Sequence, residues 1–224
     1  MPKEDNKPYE VLDAQSGSWV QVYEVNGTAG TSTSATDVQG HAQEKQLTEL
    51  LKYGVITPDA DGKVNPEQEI TVGDWLTYVS KATTPYYSQY YMTADKQAVA
   101  GVSSDSPYYD AVSFAVSRNW VDAGKSVQPE KKLNREELAV LLSSLLKYSK
   151  LASFLDNDST VTSFSDNAAI TNKGAVALVV HLGLLQGEGG KFNPQQNVTK
   201  AQAAAVIMKL VELQGKTDQP IGLQ

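Results

Sequence analysis

The chain has 224 residues, 41% hydrophobic and 20% charged, the makeup of a globular protein long enough to bury a real core. It has no cysteine, which excludes disulfides, thiolate metal sites and cysteine nucleophiles together. A formal net charge of -7 argues against nucleic acid as a general partner, and no apolar run approaches the roughly 20 residues of a spanning helix, so no membrane insertion is expected.

Met1-Pro2-Lys3-Glu4-Asp5 is too polar to open a signal peptide, so an exported protein of this sequence is expected to be a fragment or a mature form with an added Met. In residues 9–25, alternating Val11, Val20, Val22 and Val25 flank a turn at residues 15–18, which predicts a short N-terminal β-hairpin. Residues 26–36 are Gly, Ser, Thr and Ala after an opening Asn26, the composition of a flexible linker. Residues 1–36 therefore read as the tail of a preceding domain, with an ornamental edge hairpin as the alternative. From Asp37 the pattern turns helical. Leu47, Leu50 and Leu51 form a short stripe that ends at Gly54, a residue suited to a left-handed helix stop. After a polar loop at residues 59–63 comes Pro66, then Thr71 with Asp74, then Trp75, Tyr78, Val79 and Ala82. Thr followed three residues later by an acid has the form of a capping box, each side chain bonding the other's amide.

The same passage occurs twice more. Pro129 precedes Asn134 and Glu137, and Pro194 precedes Thr199 and Gln202, always with five residues from Pro to cap. At offsets four, seven, eight and eleven from the cap stand Leu138, Leu141, Leu142 and Leu145, then Ala203, Val206, Ile207 and Leu210, one helical stripe written three times. The shorter stripe also repeats, as Val112, Ala115 and Val116 before Asn119 and as Val176, Val179 and Val180 before Gly183. The prolines are separated by 63 and 65 residues, a long unit for a solenoid. The expected organisation is residues 37–101 and 102–163 as two repeats with their connectors, 164–214 as a third, and 215–224 as a flexible tail.

No catalytic site is legible. Asp74 and Glu137 could be called catalytic carboxylates, but capping explains them without further assumption. His181 lies in an apolar run and is expected in the packed core, and His41 in a loop; neither has metal spacing. Asp59-Ala60-Asp61-Gly62 lacks the bidentate Glu of a calcium loop and reads as a solvated turn. Tyr86, Tyr87, Tyr90 and Tyr91 are either a sugar-stacking patch or, the stronger reading, a connector packing its rings on the helices. No cofactor and no metal are expected.

Phe164-Ser165-Asp166 and Thr36-Asp37-Val38 at the repeat openings, Tyr108-Tyr109-Asp110-Ala111-Val112, the loop from Gly187 to Pro194 and Asn134-Arg135-Glu136-Glu137 together resemble the S-layer homology family over residues 37–214. The phrase Asp13-Ala14-Gln15-Ser16-Gly17 resembles, over five residues only, the last hairpin of PepSY-type domains. The S-layer resemblance implies a mainly α fold, a pseudo-threefold trimer-like unit with a central three-helix bundle beside the N-terminal β-hairpin. It further implies non-covalent anchoring of an extracellular protein to anionic, pyruvylated secondary cell-wall polysaccharide of a Gram-positive-type envelope, at the cell wall or S-layer. A degenerate scaffold that assembles with protein partners in the envelope is the alternative, and a carboxylate hydrolase ranks last. The family's basic position after the cap is Val72, Arg135 and Lys200 here. A cation beside free helix N–H groups would favour a ligand carboxylate. The ligand-binding candidates implied are Arg135, Lys200, Tyr108, Asp166, Asp37, Asn134, Thr199 and Gly187. Repeat one lacks the cation, and residues 37–82 hold 8 acidic and 4 basic side chains, against 6 and 7 in 102–150 and 3 and 4 in 164–214. Binding is therefore expected in repeats two and three.

Overall fold

A computed structural model of the chain describes residues 9–12, 19–22, 35–83, 99–122 and 124–217, in two units that divide between Thr33 and Ser34. In the first unit β1 (Tyr9–Leu12) and β2 (Trp19–Val22) pair antiparallel, with Tyr9 opposite Val22 and Leu12 opposite Trp19. The turn foreseen between them, the phrase from Asp13 to Gly17 and the linker up to residue 34 lie outside the described residues, as does the tyrosine connector.

The second unit is helical. Its elements are α1 (Glu44–Lys52), α2 (Val72–Thr83), α3 (Tyr109–Ser117), α4 (Arg135–Leu145), α5 (Ser149–Ala152), α6 (Ser159–Thr162), a 3-10 turn (Asn167–Ala169), α7 (Lys173–His181) and α8 (Lys200–Thr217). The three shorter stripes end as their sequence directs. Gly54, Asn119 and Gly183 sit at φ 66°, 58° and 69°, and the next amide (Val55, Trp120, Leu184) reaches back to the carbonyl of Leu50, Ala115 or Val179, the six-to-one bond of a Schellman stop. The stretch 151–163 holds the end of α5 and all of α6, where Asp158 Oδ1 accepts the Thr160 N–H at 2.8 Å and starts a turn of helix. Helix α8 likewise runs past Gln214 to Thr217.

All three capping boxes form. Thr71 and Asp74 bond each other's amides at 3.1 and 2.9 Å, Asn134 and Glu137 at 2.8 and 3.2 Å, and Thr199 and Gln202 at 3.3 and 3.2 Å. The stripes behind them make the core: Trp75, Val79, Leu138, Leu142, Leu145, Ala203, Val206, Ile207 and Leu210 are buried, with Tyr78, Ala82 and Leu141 packed at its margin. α2 packs on α3 and α8, α4 on α7, and α1 on α8.

The helix starts are tied to one another. The Ile70 N–H donates to Val198 O (2.9 Å), Val198 N–H to Leu133 O (2.8 Å) and Leu133 N–H to Ile70 O (3.1 Å), a closed ring of three bonds. Ile70, Leu133 and Val198 each stand one residue before a cap and are fully buried. Around the ring the first two helical amides of every repeat donate to the proline turn of the next: Val72 and Gly73 to Lys131 O and Pro129 O, Arg135 and Glu136 to Gln196 O and Pro194 O, Lys200 and Ala201 to Gln68 O and Pro66 O. With the cap serving the third position, the donors that a helix start leaves open are met from across the repeats.

Two expectations are corrected. The helix-start N–H groups, read from sequence as free for a ligand, are taken by these carbonyls. His181, read as a core residue, is half exposed and lies 3.1 Å from Asp158 Oδ1, because it stands five and two residues past the buried Val176 and Val179, about 140° and 200° round α7 on its other face. Since the Thr199 side chain caps α8 one residue after the ring, Thr199→Ala should destabilise by about 0.5–2 kcal/mol in urea titration, and a midpoint unchanged within error would show that the box contributes nothing.

Candidate functional site

Two clefts in the second unit share an Asp, an Asn-Pro pair and a Gln two residues after the proline, in the same order. Asp37, Asn65, Pro66, Glu67 and Gln68 line one of about 560 Å³. Asp166, Asn193, Pro194, Gln195 and Gln196, joined by Ala169 and Glu188, line the other of about 500 Å³. In each, the opening aspartate is fixed by the turn it faces. Asp37 accepts the N–H of Val64 and Asn65 at 2.9 and 2.7 Å, and Asp166 those of Phe192 and Asn193 at the same two distances. Asn65 and Asn193 take positive φ, 57° and 56°, which turns their amides toward the carboxylate; Asn tolerates this conformation at little cost. Desolvation opposes ionisation of both aspartates, yet the two amides on each more than offset it, and their pKa values lie below the ordinary one. Among the described residues repeat two shows no such device: Val127 N–H donates instead to Ala100 O (3.3 Å), and the Asp105 amide bonds Ser103 Oγ.

Each cleft has a cation beside it from the long helix of another repeat, tied to a lining residue: Lys200 to Gln68 and Arg135 to Gln196. Arg135, first residue of α4, lays its guanidinium 4.8 Å from the Phe192 ring centroid and donates from Nε to Phe192 O (2.9 Å) and from Nη2 to Gln186 O (2.6 Å). Lys200, first residue of α8, donates from Nζ to Val64 O and to Gln68 Oε1 (3.2 Å). Val64 and Phe192 both stand two residues before the proline, so the two cations use the equivalent carbonyl. Burial lowers the pKa of both cations, while Glu188 and Asp166 support the charge on Arg135 and Asp74, Asp37 and Asp59 that on Lys200. Asn134 and Thr199 remain in their capping boxes at the cleft edges, and Asn134 Nδ2 also donates to Gln195 Oε1 at 3.4 Å.

Tyr108 and Gly187 sit differently. Tyr108 belongs to neither cleft. Its hydroxyl donates to Asp74 Oδ1 (3.1 Å) and accepts from Thr71 Oγ1 (3.4 Å), and its ring lies on α2 where a Cβ at Gly73 would come within 2.4 Å of it. The ring thus covers the second residue of α2, the position held by Glu136 and Ala201 in the other two long helices. Gly187 follows Gln186, whose carbonyl Arg135 uses, and gives way to an aromatic ring: a Cβ there would stand 2.3 Å from Phe164 Cε1.

Sequence reasoning passed over Glu136. It is only 4% exposed, and its Oε1 accepts from Thr171 N, Asn172 N and Asn172 Nδ2, joining the start of α4 to the start of α7. The signal available was its position, second in the helix, where the other repeats have Gly73 and Ala201. Glu67, Gln68, Gln195 and Gln196 were equally unmarked.

The depressed pKa of Asp166 sets a pH dependence. A carboxylate favoured in the folded state stabilises above its unfolded pKa, and that stability is lost as pH falls through it toward the folded value. Between about pH 5 and pH 2 the wild type should lose stability more steeply than Asp166→Asn; parallel profiles in thermal unfolding would show that the two amide bonds do not form. Gly187→Ala, forced against Phe164, should lower stability by about 1–3 kcal/mol in the same assay.

Residues 36–71 and 163–204 match the family model of the S-layer homology domain. The chain is 24% identical over 195 residues to Exoglucanase XynX of Acetivibrio thermocellus, covering 84% of this chain and 17% of that protein. It is 30% identical over 183 residues to an amylopullulanase of Thermoanaerobacterium thermosulfurigenes, covering 80% and 10%, and 28% identical over 196 residues to S-layer protein EA1 of Bacillus anthracis, covering 87% and 22%. The chain thus spans between 10% and 22% of the length of these curated relatives, and what enzymes and S-layer proteins share with it is this segment. Both matched stretches hold an opening aspartate, the proline turn that it fixes and the cap of a long helix, and over residues 36–71 and 163–204 this chain carries S-layer homology domains.

Proposed function

We propose that the chain is a non-covalent anchoring module that binds anionic, pyruvylated secondary cell-wall polysaccharide and holds an exported protein at a Gram-positive-type cell wall or S-layer. Residues 37–101, 102–163 and 164–214 act as three tandem repeats of one pseudo-threefold unit, with α2, α4 and α8 as its central bundle; residues 1–36 belong to whatever precedes it. The unit has a binding and not a catalytic role. The observation that carries this reading is the composite cleft, present twice with the same Asp, Asn, Pro and Gln walls and a cation from the neighbouring helix on its rim. Amide and carboxylate walls suit sugar hydroxyls, and the cation suits an acidic substituent. Among the described residues, Arg135 commits two of its five N–H groups to its own chain, which leaves donors for a ligand carboxylate. The middle repeat enters through the ring of amides linking Ile70, Leu133 and Val198.

The scaffold reading draws on the same contacts, since both cations already have partners in their own chain. Pull-down on purified sacculi with and without extraction of the secondary polymer separates the two: anchoring requires retention that disappears with the polymer, and retention by extracted sacculi contradicts it. In titrations of a pyruvylated wall-glycan fragment, Arg135→Ala should weaken binding by about 2–5 kcal/mol if the site is desolvated, and Lys200→Ala by less, since a lysine is a point charge and an arginine can grip with two parallel bonds. Val72→Ala should bind as wild type does. Equal affinity in all four proteins would sink the assignment.

A further inference from the structure

Among the described residues five large hydrophobic side chains stand exposed, and three of them, Tyr148, Leu151 and Phe154, fall on one short stretch. There the chain coils through α5 and one turn beyond it, the amides of Ala152, Ser153, Phe154 and Leu155 reaching back to the carbonyls of Tyr148, Ser149, Leu151 and Ala152. α5 packs on α7 and α4, and the residues this coil gives to the core are Ala152, buried, and Leu155, packed at its margin. Tyr148 and Leu151 are nearly half exposed and Phe154 is 84% exposed. A phenylalanine so placed contributes little to its own core, and a ridge of such residues marks a surface that meets something else.

The charges around the ridge are ordered. Lys147 and Lys150 flank its start, and Asp156 and Asp158 follow its end; Lys147, Lys150 and Asp156 are exposed. The fold holds both acids in place. Asp156 Oδ1 accepts the Gly174 N–H at 3.0 Å, and Asp158 Oδ1 accepts the Thr160 N–H and lies beside His181. Base, apolar ridge, acid is a self-complementary order: a copy turned end to end sets its acids against these lysines. Two-fold contacts have that property, residue i of one copy meeting j of the other and j meeting i.

We propose that this ridge pairs with the same ridge of a second copy of the chain, antiparallel about a two-fold axis through its middle. Phe154 of each copy then lies against Tyr148 and Leu151 of the other. Lys150 of each reaches Asp156 of the other, with Lys147 and Asp158 one step outside. A partner of one charge sign would be repelled at one end of the ridge, whereas a second copy is matched at both. Three side chains so exposed offer on the order of 300–400 Å² per copy, less than the roughly 1,200 Å² in total that stable complexes bury. The pairing is therefore weak in dilute solution and tells where copies are crowded together. The coil follows the far end of α4, which runs 11 residues from Arg135, roughly 16 Å along the helix, so paired copies leave the start of α4 clear.

Sedimentation of the full chain from about 10 μM to about 1 mM tests this, and the average mass should rise from one chain toward two. Phe154→Ser should weaken the association about tenfold, and Lys150→Glu, which sets like charges together twice, by a similar factor. Adding Asp156→Asn to Lys150→Glu removes that repulsion while keeping an oxygen for Gly174, and should recover most of the loss. A single-chain mass throughout the series, association unchanged by Phe154→Ser, or no recovery in the double variant would overturn the pairing. Binding of a monomeric wild type to anionic phospholipid vesicles, lost in Phe154→Ser, would give the face to a lipid surface and overturn it equally.

Discussion

Around one point in the second unit the amides of Ile70, Leu133 and Val198 each donate to the next carbonyl in turn. Every other feature of the helix starts follows from that closure. It brings each proline turn against the first turn of a helix from another repeat, so that the orphan amides of that helix meet carbonyls without water or ligand. The apolar residues that carry the ring point inward with the Trp75, Leu138 and Ile207 layers, which keeps the bonds in a dry interior where a lost partner is costly. A cleft then appears wherever an opening aspartate pins the proline turn from outside, as Asp37 and Asp166 do.

Each cleft is consequently shared. The walls of the Lys200 cleft come from residues 37–68 and its cation from residue 200; the walls of the Arg135 cleft come from residues 166–196 and its cation from residue 135. Charge counted repeat by repeat therefore misplaces the electrostatics. The acid-rich stretch 37–82 does not act on its own helix start at Val72 alone but also on Lys200, whose charge Asp37 and Asp59 support. The start of α2 faces repeat two, and there the Tyr108 ring lies on Gly73 and its hydroxyl bonds Asp74.

What was legible in the sequence was local. Capping boxes span three residues, helix stripes follow a 3.6-residue period, and a left-handed stop needs Gly or Asn, so Thr71, Asn134, Thr199, Gly54, Asn119 and Gly183 could be named from spacing alone. What was not legible is carried by pairs 50 to 130 residues apart in order of magnitude, such as Arg135 with Phe192 and Lys200 with Val64, for which a single sequence holds no signal of contact. His181 was misjudged for a related reason: apolar neighbours in sequence do not set the face of a helix, and one residue is about 100° of rotation. Glu136 looked like one more charge in an acidic helix start, and only the fold shows it buried against Thr171 and Asn172.

The ring makes a claim that amide exchange can decide. If the three bonds close one unit, the amides of Ile70, Leu133 and Val198 open only when that unit unfolds as a whole, and native-state hydrogen exchange gives all three the same free energy, equal to that of global unfolding. An account in which three independent repeats merely lie in a row predicts staggered values, one amide exchanging through a cheap local opening while the others stay closed. Three coincident values support the closed unit; one of the three exchanging in the fast class contradicts it.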